Sequence, residues 1–508
     1  MARELSRRRA RRNAGGIRQS PWRLLQNPYK PIEILDEEGL QVIHDASLEI
    51  LEDIGMDFLH PEALEILGAA GADVEQGSER VRFDRGLVSE CVAKAPSEFR
   101  LHSRNPERTL TFGGNHINFA SVASTPNCSD LEGGRRTGNF ADYCNFLRLM
   151  QSANAVHLMG GYPVDPTDLP PETRHLDALA AFVHLTDKPF HAYSLGRERI
   201  LDGIEIARIA RGIDRETMQR EPAVFTVVNT SSPLRLDGPM IEGIIEMAKM
   251  AQPIAITPFT LSGAMSPVTL AGALAQQNAE ALAGLAFTQM VRPGAPVIYG
   301  AFTSNVDMKS GAPAFGTPEY TRAAFASGQL ARRYDLPLRS SNANAANTLD
   351  CQAAYESQMS LWGAVMGHAN LVMHAAGWME GGLTASFEKA VIDFELLQMM
   401  AETLQPLDVS RESIGVDAVR DVGPGGHFFG TAHTMERYET AFYEPLLSDW
   451  RNFQSWQEAG APTTAQHANR LYRQILAEYT PPPLDPAIAE ELDAFVTRRK
   501  AEGGAQAA

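Results

Sequence analysis

The side chains best suited to acid, base or electrostatic chemistry are His191, Arg339, His374 and Glu380, and only Glu380 among them is a carboxylate. A hydrolase, isomerase or glycosidase commonly needs two groups with separated pKa values, such as paired carboxylates or a histidine with a carboxylate. His374 and Glu380 could form one such pair. A lyase or hydrolase that uses them as acid and base is therefore one hypothesis.

Aromatic residues accompany these ionisable groups, and the most prominent are Tyr193, Phe259, Phe302 and Trp378. A quaternary ammonium has no N–H donor, so proteins hold it with aromatic faces and a more distant countercharge. The same residue types also serve as ordinary packing. The sequence thus leaves two interpretations open here, a cup for an organic cation and an apolar core.

The sequence contains no compact motif for a metal or a nucleotide. The four cysteines are far apart without a Cys-x-x-Cys pair, which argues against a disulfide framework and a structural zinc site. The thirteen histidines lack the His-Glu-x-x-His spacing, and no glycine-rich dinucleotide or phosphate-loop pattern is present. We therefore expect no metal bound by the chain and no pyridine nucleotide.

Short apolar runs alternate with helical patterns between residues 116 and 393, and they predict the strands that would position the candidate side chains. The predicted strands are His116–Ser121, Ala155–Gly161, Pro189–Tyr193, Ala223–Val228, Pro253–Pro258, Pro296–Ala301, Leu336–Ser340 and Asn370–Ala375. Eight such units fit an α/β fold of the (β/α)8 TIM barrel type, in which the active site lies beyond the carboxyl ends of the strands. A doubly wound open sheet is the alternative, but it lacks its glycine fingerprint here.

Three further regions flank this predicted barrel. Residues 1–30 form a basic tail, and residues 31–115 form an N-terminal cap with helices predicted over Ile34–Ile54 and His60–Ala72. Residues 394–508 form a C-terminal helical extension, which is rich in aromatic residues between Tyr438 and Trp456. Such an extension packs on the barrel or mediates self-association, so we expect a homo-oligomer.

The overall composition is that of a soluble protein, with 44% hydrophobic and 21% charged residues. No apolar run approaches the ~20 residues that cross a bilayer, and no apolar segment follows the N-terminal arginines, so we expect a cytoplasmic protein without a membrane partner. The net charge is -17, although the first thirty residues hold nine Lys or Arg and one acid. A basic tail on an acidic body more often solvates the protein or docks on an acidic neighbouring surface, so we expect no nucleic-acid partner.

Several stretches of the chain resemble the trimethylamine methyltransferase family of corrinoid-dependent methyltransferases. The resemblance runs from about residue 35 to about residue 480. The matching blocks are Ser266–Ala273 with Gln277 and Glu280, Pro293–Val297, Gly311–Glu319, Asp350–Glu356, Ala375–Thr384 and Val422–His427. Taken together these blocks are specific, whereas any one of them alone is not.

The resemblance implies a TIM barrel that moves a methyl group from a methylamine to the cobalt of a corrinoid, which is usually carried on a separate protein. The archaeal trimethylamine enzymes of the family hold a pyrrolysine near the position of Asn342, Ala343 or Asn344. This chain has none there. It therefore resembles the non-pyrrolysine branch, whose members demethylate quaternary amines such as glycine betaine, proline betaine or carnitine.

On this resemblance we expect a glycine betaine methyltransferase that works mainly by orienting its substrate, because a quaternary amine leaves as a neutral tertiary amine and needs no proton. The expected roles are a catalytic countercharge for Glu380 and substrate contacts for eight residues, with corrinoid contacts in a glycine-rich turn. The substrate residues are Tyr193, Asn229, Phe259, Phe302, Arg339, Asn342, His374 and Trp378, and the corrinoid residues are Gly425, Gly426 and His427. The lyase or hydrolase and a noncatalytic betaine-binding protein remain the alternatives.

Overall fold

The computed structural model describes residues 17–505, so six arginines of the predicted basic tail lie outside the described residues. The N-terminal region contains short strands and three helices. Its elements are β1 (Leu25–Gln26), α1 (Glu37–Glu49), a π-helical turn (Ile50–Ile54), β2 (Met56–Phe58), α2 (Pro61–Ala69), β3 (Asp73–Val74), β4 (Arg80–Arg82), α3 (Arg85–Val92), β5 (Phe99–Leu101), a 3-10 turn (Pro106–Arg108) and β6 (Leu110–Phe112). α1 starts after Asp36, whose carboxylate accepts a hydrogen bond from the Gly39 amide.

The central region, residues 116–403, alternates strands with helices. Its strands are β7 (His116–Ser121), β8 (Asn127–Asp130), β9 (Gly134–Thr137), β10 (Phe190–His191), β11 (Val224–Thr230), β12 (Arg235–Leu236), β13 (Ile254–Ser262), β14 (Val297–Gly300), β15 (Phe302–Val306), β16 (Pro313–Ala314), β17 (Leu338–Ser341), β18 (Leu371–Ala376), β19 (Trp378–Met379) and β20 (Thr384–Ser386). Its helices are α4 (Phe140–Ser152), α5 (Arg174–Leu185), α6 (Arg197–Arg211), α7 (Arg215–Arg220), α8 (Gly238–Lys249), α9 (Leu270–Val291), α10 (Pro318–Arg333), α11 (Cys351–Met366) and α12 (Phe387–Thr403), with a 3-10 turn at Glu380–Gly382.

Seven of these strands form a curled parallel sheet in the order β7-β18-β17-β14-β13-β11-β10. Among the seven strands of this sheet, β7 comes first along the chain and β18 comes last. These two strands pair with each other, which curls the sheet back on itself. Between β7 and β10, the predicted strand Ala155–Gly161 is reduced to two isolated parallel bridges, Ala120 with Leu158 and Met159 with Phe190. The protein therefore has a mixed α/β architecture built around a curled sheet.

The interior of the curled sheet is filled by its own core cluster, to which β7, β11, β13, β14 and β18 contribute. The hairpin formed by β5 and β6 adds Phe99, Leu101, Leu110 and Phe112 to the same cluster. Asn118, at the start of β7, donates its side-chain amide to the Thr111 carbonyl of that hairpin, 2.8 Å away. The hairpin thus packs at the amino ends of the strands, which leaves the carboxyl ends for a site.

The helices outside the sheet bury a second and larger core. α9 is buried on almost every side because α1 and α3 of the N-terminal region pack against it. Its Asn278 amide donates to Ser47 of α1 and to Tyr334, each at 2.9 Å. These contacts attach the N-terminal region to the outside of the sheet.

Short strands extend the fold beyond the carboxyl ends of the parallel sheet. β19, β20, β8 and β9 form a four-stranded sheet in that order, and β15 pairs with both β13 and β16. The segments that follow β7, β13, β14 and β18 therefore have a fixed backbone. They position the candidate site described below.

The C-terminal region is helical. It contains α13 (Arg411–Ile414), α14 (Val416–Val422), α15 (Ala432–Arg437), α16 (Phe453–Glu458), α17 (Thr464–Glu478) and α18 (Pro486–Ala501). α17 packs against α12 and α4, and α18 packs against α5 and α6. Within residues 17–505, no helix has the length and apolar character to cross a membrane.

Candidate active site at the carboxyl ends of the strands

Six aromatic rings from three segments meet near the carboxyl ends of β13, β14 and β18. Phe302 is central, because its ring lies 5.2 Å from Phe259, 5.4 Å from Phe315 and 6.4 Å from Trp378. Phe315 lies 5.5 Å from Trp378. The aromatic cluster comprises Phe259, Phe302, Phe315, Tyr320, His374 and Trp378.

His374 completes the cluster by stacking on Trp378, with ring centroids 5.3 Å apart and an interplanar angle of 24°. It lies on the irregular part of β18, has a φ of 55°, and its Nδ1 is 3.3 Å from Ser341 Oγ. Burial, and then the positive charge of Arg339, hold the pKa of His374 well below its usual value. The ring is therefore neutral at neutral pH.

Arg339 of β17 lies buried against the same cluster, with only 3% of its surface exposed. Its guanidinium carbon is 5.3 Å from the Phe302 ring centre, and its Nη1 donates to the Ala301 carbonyl at 3.2 Å. Burial lowers its pKa to about 10, so it is charged at neutral pH. Within the described residues its Nε has no hydrogen-bond partner and no carboxylate forms an ion pair with it. A buried charge without a partner is costly, so the site is electrostatically prepared for an anion.

A second group of polar and aromatic side chains follows β7 and β10. The Tyr193 hydroxyl accepts the Tyr162 amide at 3.0 Å and is 2.8 Å from Ser124 Oγ. The His191 ring lies 4.5 Å from Tyr193, and its Nε2 accepts the Val227 amide at 2.9 Å. Burial lowers the pKa of His191 to about 3, so this ring is also neutral.

Glu380 lies two residues after Trp378, in the turn between β19 and β20. Its carboxylate forms an ion pair with Arg135 of β9, with Nε and Oε2 2.9 Å apart, and its side chain is 15% exposed. Its backbone amide donates to the Ala346 carbonyl at 3.1 Å, and its φ of 53° lies in the left-handed region. Within residues 17–505, the Glu380 carboxylate hydrogen-bonds to Arg135 and not to His374, whose Nδ1 faces Ser341. An acid–base pair of His374 and Glu380 therefore has no support in the geometry.

The segment after β17 carries two buried asparagines. Asn342 donates to the Ala375 carbonyl at 3.0 Å, and Asn344 donates to the Trp378 carbonyl at 2.7 Å. The amide oxygens of both lack a donor among the described residues. Glu356 of α11 accepts the amides of Ala345 and Ala346, at 2.8 and 3.0 Å. The segment is thus fixed against Trp378, while two buried acceptors remain unused.

A buried ion pair beneath the Trp378 turn was not anticipated from the sequence. Lys389 and Asp393 of α12 are fully buried, and Lys389 Nζ lies 2.5 and 2.7 Å from the two carboxylate oxygens. Asp393 also accepts the Gly377 amide at 2.8 Å, and Lys389 donates to Ser357 at 2.9 Å. This pair connects α11, α12 and the residue before Trp378. The available signal was a Lys and an Asp four residues apart, which lie on one side of a helix that also carries Glu388, Glu395 and Glu402.

Glu280 is a second positioning carboxylate. It is fully buried in α9 and accepts from Thr230, Ser232, the Leu234 amide and Gln276, at 2.5 to 2.9 Å. Each carboxylate oxygen accepts two of these four hydrogen bonds, so Glu280 fixes the segment after β11. The sequence marked Glu280 as part of a matching block but assigned it no role.

The structure brings five of the predicted site residues together. Tyr193, Asn229 and the glycine-rich turn lie in other segments. Phe259, Phe302, Arg339, His374 and Trp378 share the aromatic cluster. Tyr193 lies against His191 in the separate group that follows β7 and β10. Asn229 is exposed near the end of β11, next to Thr257. Gly425, Gly426 and His427 lie in an exposed segment where His427 contacts Phe429, and their contact with a corrinoid stays a prediction.

The sequence profile described as Trimethylamine methyltransferase (MTTB) matches residues 2–504 of the chain. The chain belongs to this family. The glycine betaine methyltransferase of Desulfitobacterium hafniense is 37% identical over 472 residues, which cover 93% of this chain and 98% of that protein. Trimethylamine methyltransferase MttB of Desulfitobacterium hafniense is 29% identical, with 92% and 94% covered, and MttB of Methanosarcina barkeri is 27% identical, with 92% and 95% covered. The resemblance found in the sequence is thereby confirmed at the level of the family.

Proposed function

We propose that this methyltransferase removes a methyl group from a small carboxylate-bearing quaternary amine, with glycine betaine as the first candidate, and passes it to a corrinoid on a partner protein. The observation that carries the proposal is the buried guanidinium of Arg339, which has no carboxylate partner among residues 17–505 and lies beside an aromatic wall. A zwitterion with an ammonium and a carboxylate a few ångströms apart matches these two features. The name of the relative that is 37% identical supports the same substrate.

The aromatic cluster would bind the ammonium end of such a substrate. Phe259, Phe302, Phe315 and Trp378 offer ring faces, and aromatic faces attract a cation that has no N–H group. His374 would add a neutral ring to this wall. Its neutrality would favour binding, since a charged imidazolium would repel the ammonium. The rings would also exclude water from the methyl group that reacts.

Arg339 would bind the carboxylate end. A guanidinium can donate two parallel hydrogen bonds to a carboxylate. Among residues 17–505, the Arg339 guanidinium donates one hydrogen bond, to the Ala301 carbonyl, so its other N–H groups are available for a substrate. Its charge would also select against amines without a carboxylate, because a second uncompensated cation in the buried site is unfavourable. Asn229, Asn342 and Tyr193 are proposed as additional polar contacts.

Glu380 remains our candidate for the countercharge to the ammonium. Its turn follows Trp378 directly, and Arg135 holds the carboxylate in a fixed position. A carboxylate at the edge of an aromatic cup stabilises the bound cation without contacting the reacting carbon. Its charge would matter most in the substrate complex, because the positive charge of the nitrogen disappears as the methyl group leaves.

A reduced corrinoid would supply a nucleophilic cobalt, and the chain would supply orientation. The electron pair of the broken carbon–nitrogen bond stays on nitrogen, so the leaving tertiary amine requires no proton. This accounts for a site whose two histidines are neutral and whose proposed countercharge, Glu380, is held in place by Arg135.

The partner that carries the corrinoid would dock at the carboxyl ends of the strands. Five large apolar side chains are exposed in segments that leave different parallel strands, and because the strands are parallel these segments lie on one side of the sheet. We name this set the apolar rim; it consists of Leu131, Leu195, Val268, Met308 and Leu383. An exposed apolar ring around a site is typical of a protein–protein contact.

We further propose that the curled sheet is an eight-unit barrel. The bridges at Leu158 and Met159 occupy the position of a second strand between β7 and β10, and both bridges are parallel. Counted in this way, the eight predicted units surround one interior core, and their carboxyl ends face the aromatic cluster.

The test is to supply the purified chain with reduced cobalamin and a panel of amines under anaerobic conditions. We expect consumption of the reduced cobalamin by absorbance, and formation of dimethylglycine from glycine betaine by mass spectrometry. Proline betaine and carnitine test other carboxylate-bearing amines, and choline and trimethylamine test amines without a carboxylate. Turnover of trimethylamine in preference to every betaine would contradict the proposal, and calorimetric binding without turnover would indicate a binding protein.

A further inference from the structure

Residues 405–446 form a segment, here named the arm, that leaves the body of the protein at the end of α12 and returns to the same helix. Leu404 is buried at its start, and after it Glu395 of α12 accepts the amides of Leu446 and Leu447. Within the described residues, not one position from 405 to 446 is buried. The arm is therefore fixed at both ends and uncovered between them.

The arm exposes an unusual amount of apolar surface. Leu407, Phe429 and Phe442 are 86%, 84% and 85% exposed. The arm also exposes six further large apolar side chains, which are Val409, Ile414, Val416, Val419, Phe428 and Met435. Together these nine side chains expose apolar surface on the order of 1,000 Å², if a fully exposed aromatic side chain contributes ~150–250 Å². The largest apolar patch of a typical monomer measures only ~300–600 Å².

The helices of the arm also require a covering surface. α13, α14 and α15 have four to seven residues each and bury no side chain in the part of the chain that the structure describes. Helices this short do not form in water on their own, because the unfavourable nucleation outweighs a few hydrogen bonds. Helices of this length are stable when an apolar face packs against another surface.

A matching uncovered surface lies on α11, next to α12. Tyr355, Met359 and Trp362 are exposed at positions i, i+4 and i+7, so they form one stripe along the helix. Among the residues that the structure describes in α11, the exposed ones are these three with Cys351 and Ala354, and none of the five is charged. Interface centres are depleted in charge and enriched in aromatic residues and methionine.

We propose that the arm of one chain packs on the α11 stripe of a second copy of the same chain, and that the second arm packs reciprocally on the first stripe. A two-fold arrangement brings both contacts together, because each subunit offers the same arm and the same stripe. Each arm would bury an area comparable to the ~800 Å² per partner of a stable interface. The pairing explains both uncovered surfaces with one occupant, and it does not depend on the proposed function.

The experiment is sedimentation equilibrium on the full-length chain and on matched variants. The arm variant carries Phe429→Asp and Phe442→Asp, and the stripe variant carries Trp362→Asp. We expect a dimer or larger assembly for the unaltered chain at micromolar concentration, and at least a 100-fold weaker association for either variant. The control is Val42→Asp on α1, an exposed apolar residue outside both surfaces, which should leave the mass unchanged.

Mixing the two variants gives the sharper result. A mixed dimer retains one intact contact, between the arm of the stripe variant and the stripe of the arm variant, so an equimolar mixture should associate more tightly than either variant alone. Circular dichroism checks that each variant is folded. A monomeric unaltered chain would overturn the proposal, and so would a stripe variant that associates as tightly as the unaltered chain.

Discussion

Arg339 is the residue whose role depends most on its surroundings. In the sequence it ends an apolar run, and an arginine there can point to solvent or into the protein. The structure buries it against Phe302 without a carboxylate partner in the described residues, although a buried arginine is normally paired. This combination of burial, charge and an aromatic neighbour makes it our first candidate for discriminating among substrates.

Replacing Arg339 should therefore separate substrates with and without a carboxylate. For Arg339→Met, we expect kcat/KM for glycine betaine to fall about 10- to 100-fold, because a hydrogen bond to a charged group contributes ~1.5–3 kcal/mol. Arg339→Lys should lose less, since the charge remains. Steady-state kinetics with glycine betaine and with a carboxylate-free quaternary amine measures this difference.

The control for that prediction is Arg333→Met, at the outer end of α10, where the side chain bonds Gln41. It should leave both substrates unaffected. An equal loss with both amines in the Arg339 variants would indicate a general structural defect and would contradict a role in binding the carboxylate.

The buried histidines predict a dependence of stability on pH. Burial lowers the pKa values of His157 and His191 from 6.5 to about 3. Between these values the unfolded chain binds more protons than the folded one, so the contribution to stability is complete above pH 6.5 and decreases as the pH falls. The free energy of unfolding should therefore be lower at pH 5 than at pH 7 by ~2 kcal/mol for each of these histidines. This follows because pH 5 lies about 1.5 units below the unfolded pKa and each unit corresponds to ~1.4 kcal/mol.

Thermal unfolding at pH 7 and pH 5 tests this dependence. The unaltered chain should unfold at a lower temperature at pH 5. His157→Gln should lower the unfolding temperature at pH 7, yet lose less of it between pH 7 and 5, because one titrating group has been removed. A variant with the same pH dependence as the unaltered chain would rule out His157 as a source of it.

At the scale of elements, the strands were predictable because seven apolar runs became regular strands near the expected positions. The run Ala155–Gly161 did not, and the hydrogen bonds give the reason. The Phe119 amide donates to the ring of His157, 2.9 Å away, so a side chain takes the place of a strand neighbour. The Val227 amide likewise donates to His191, beside the two-residue strand β10. The spacing of apolar residues does not reveal that a histidine ring will take the place of a backbone carbonyl as the hydrogen-bond partner of a strand amide.

The candidate site was predictable in its residue types but only partly in its contacts. Aromatic residues near strand ends pointed to Phe259, Phe302 and Trp378, because parallel strands place their carboxyl ends on one side. The partner of Glu380 was not predictable, since Arg135 lies 245 residues away on a separate hairpin. Contacts between such distant segments depend on the assembled fold.

The buried pair of Lys389 and Asp393 supports a prediction about α12. Asp393→Asn would leave Lys389 buried without a countercharge and weaken the bond to Gly377, so we expect a loss of ~3–5 kcal/mol in the free energy of unfolding. Replacing both residues, Lys389→Met with Asp393→Leu, should restore much of it. Chemical denaturation followed by circular dichroism measures the stability.

The exposed pair of Glu90 and Lys94 has the same spacing of four residues and provides the matched control. Glu90→Gln should change stability little, because surface ion pairs contribute little. A similar small effect of Asp393→Asn would show that water or a rearrangement compensates the buried lysine, against the rigid connection inferred here.

At the scale of the whole molecule, the two ends of the curled sheet differ. The hairpin of β5 and β6 packs at the amino ends of the strands, whereas the carboxyl ends carry the aromatic cluster and the apolar rim. The arm leaves from α12 on the outside. The proposed self-association surface is thus built from other elements than the candidate substrate site, so variants can test these two separately. The apolar rim shares two turns with the candidate site, because Leu383 follows Glu380 and Met308 lies between Phe302 and Phe315, so its test compares two acceptors.

The apolar rim predicts a difference between a corrinoid that is free and one carried by a partner. Met308→Asp or Leu383→Asp should weaken docking of a protein, because a charge is introduced into an apolar contact, and should affect a small diffusing acceptor less. We therefore expect the rate with a carrier protein to fall at least 10-fold further than the rate with free reduced cobalamin. Val42→Asp, on α1, should change neither rate. Equal losses with both acceptors would place these side chains in the substrate site itself, and no loss with either would show that the carrier docks elsewhere.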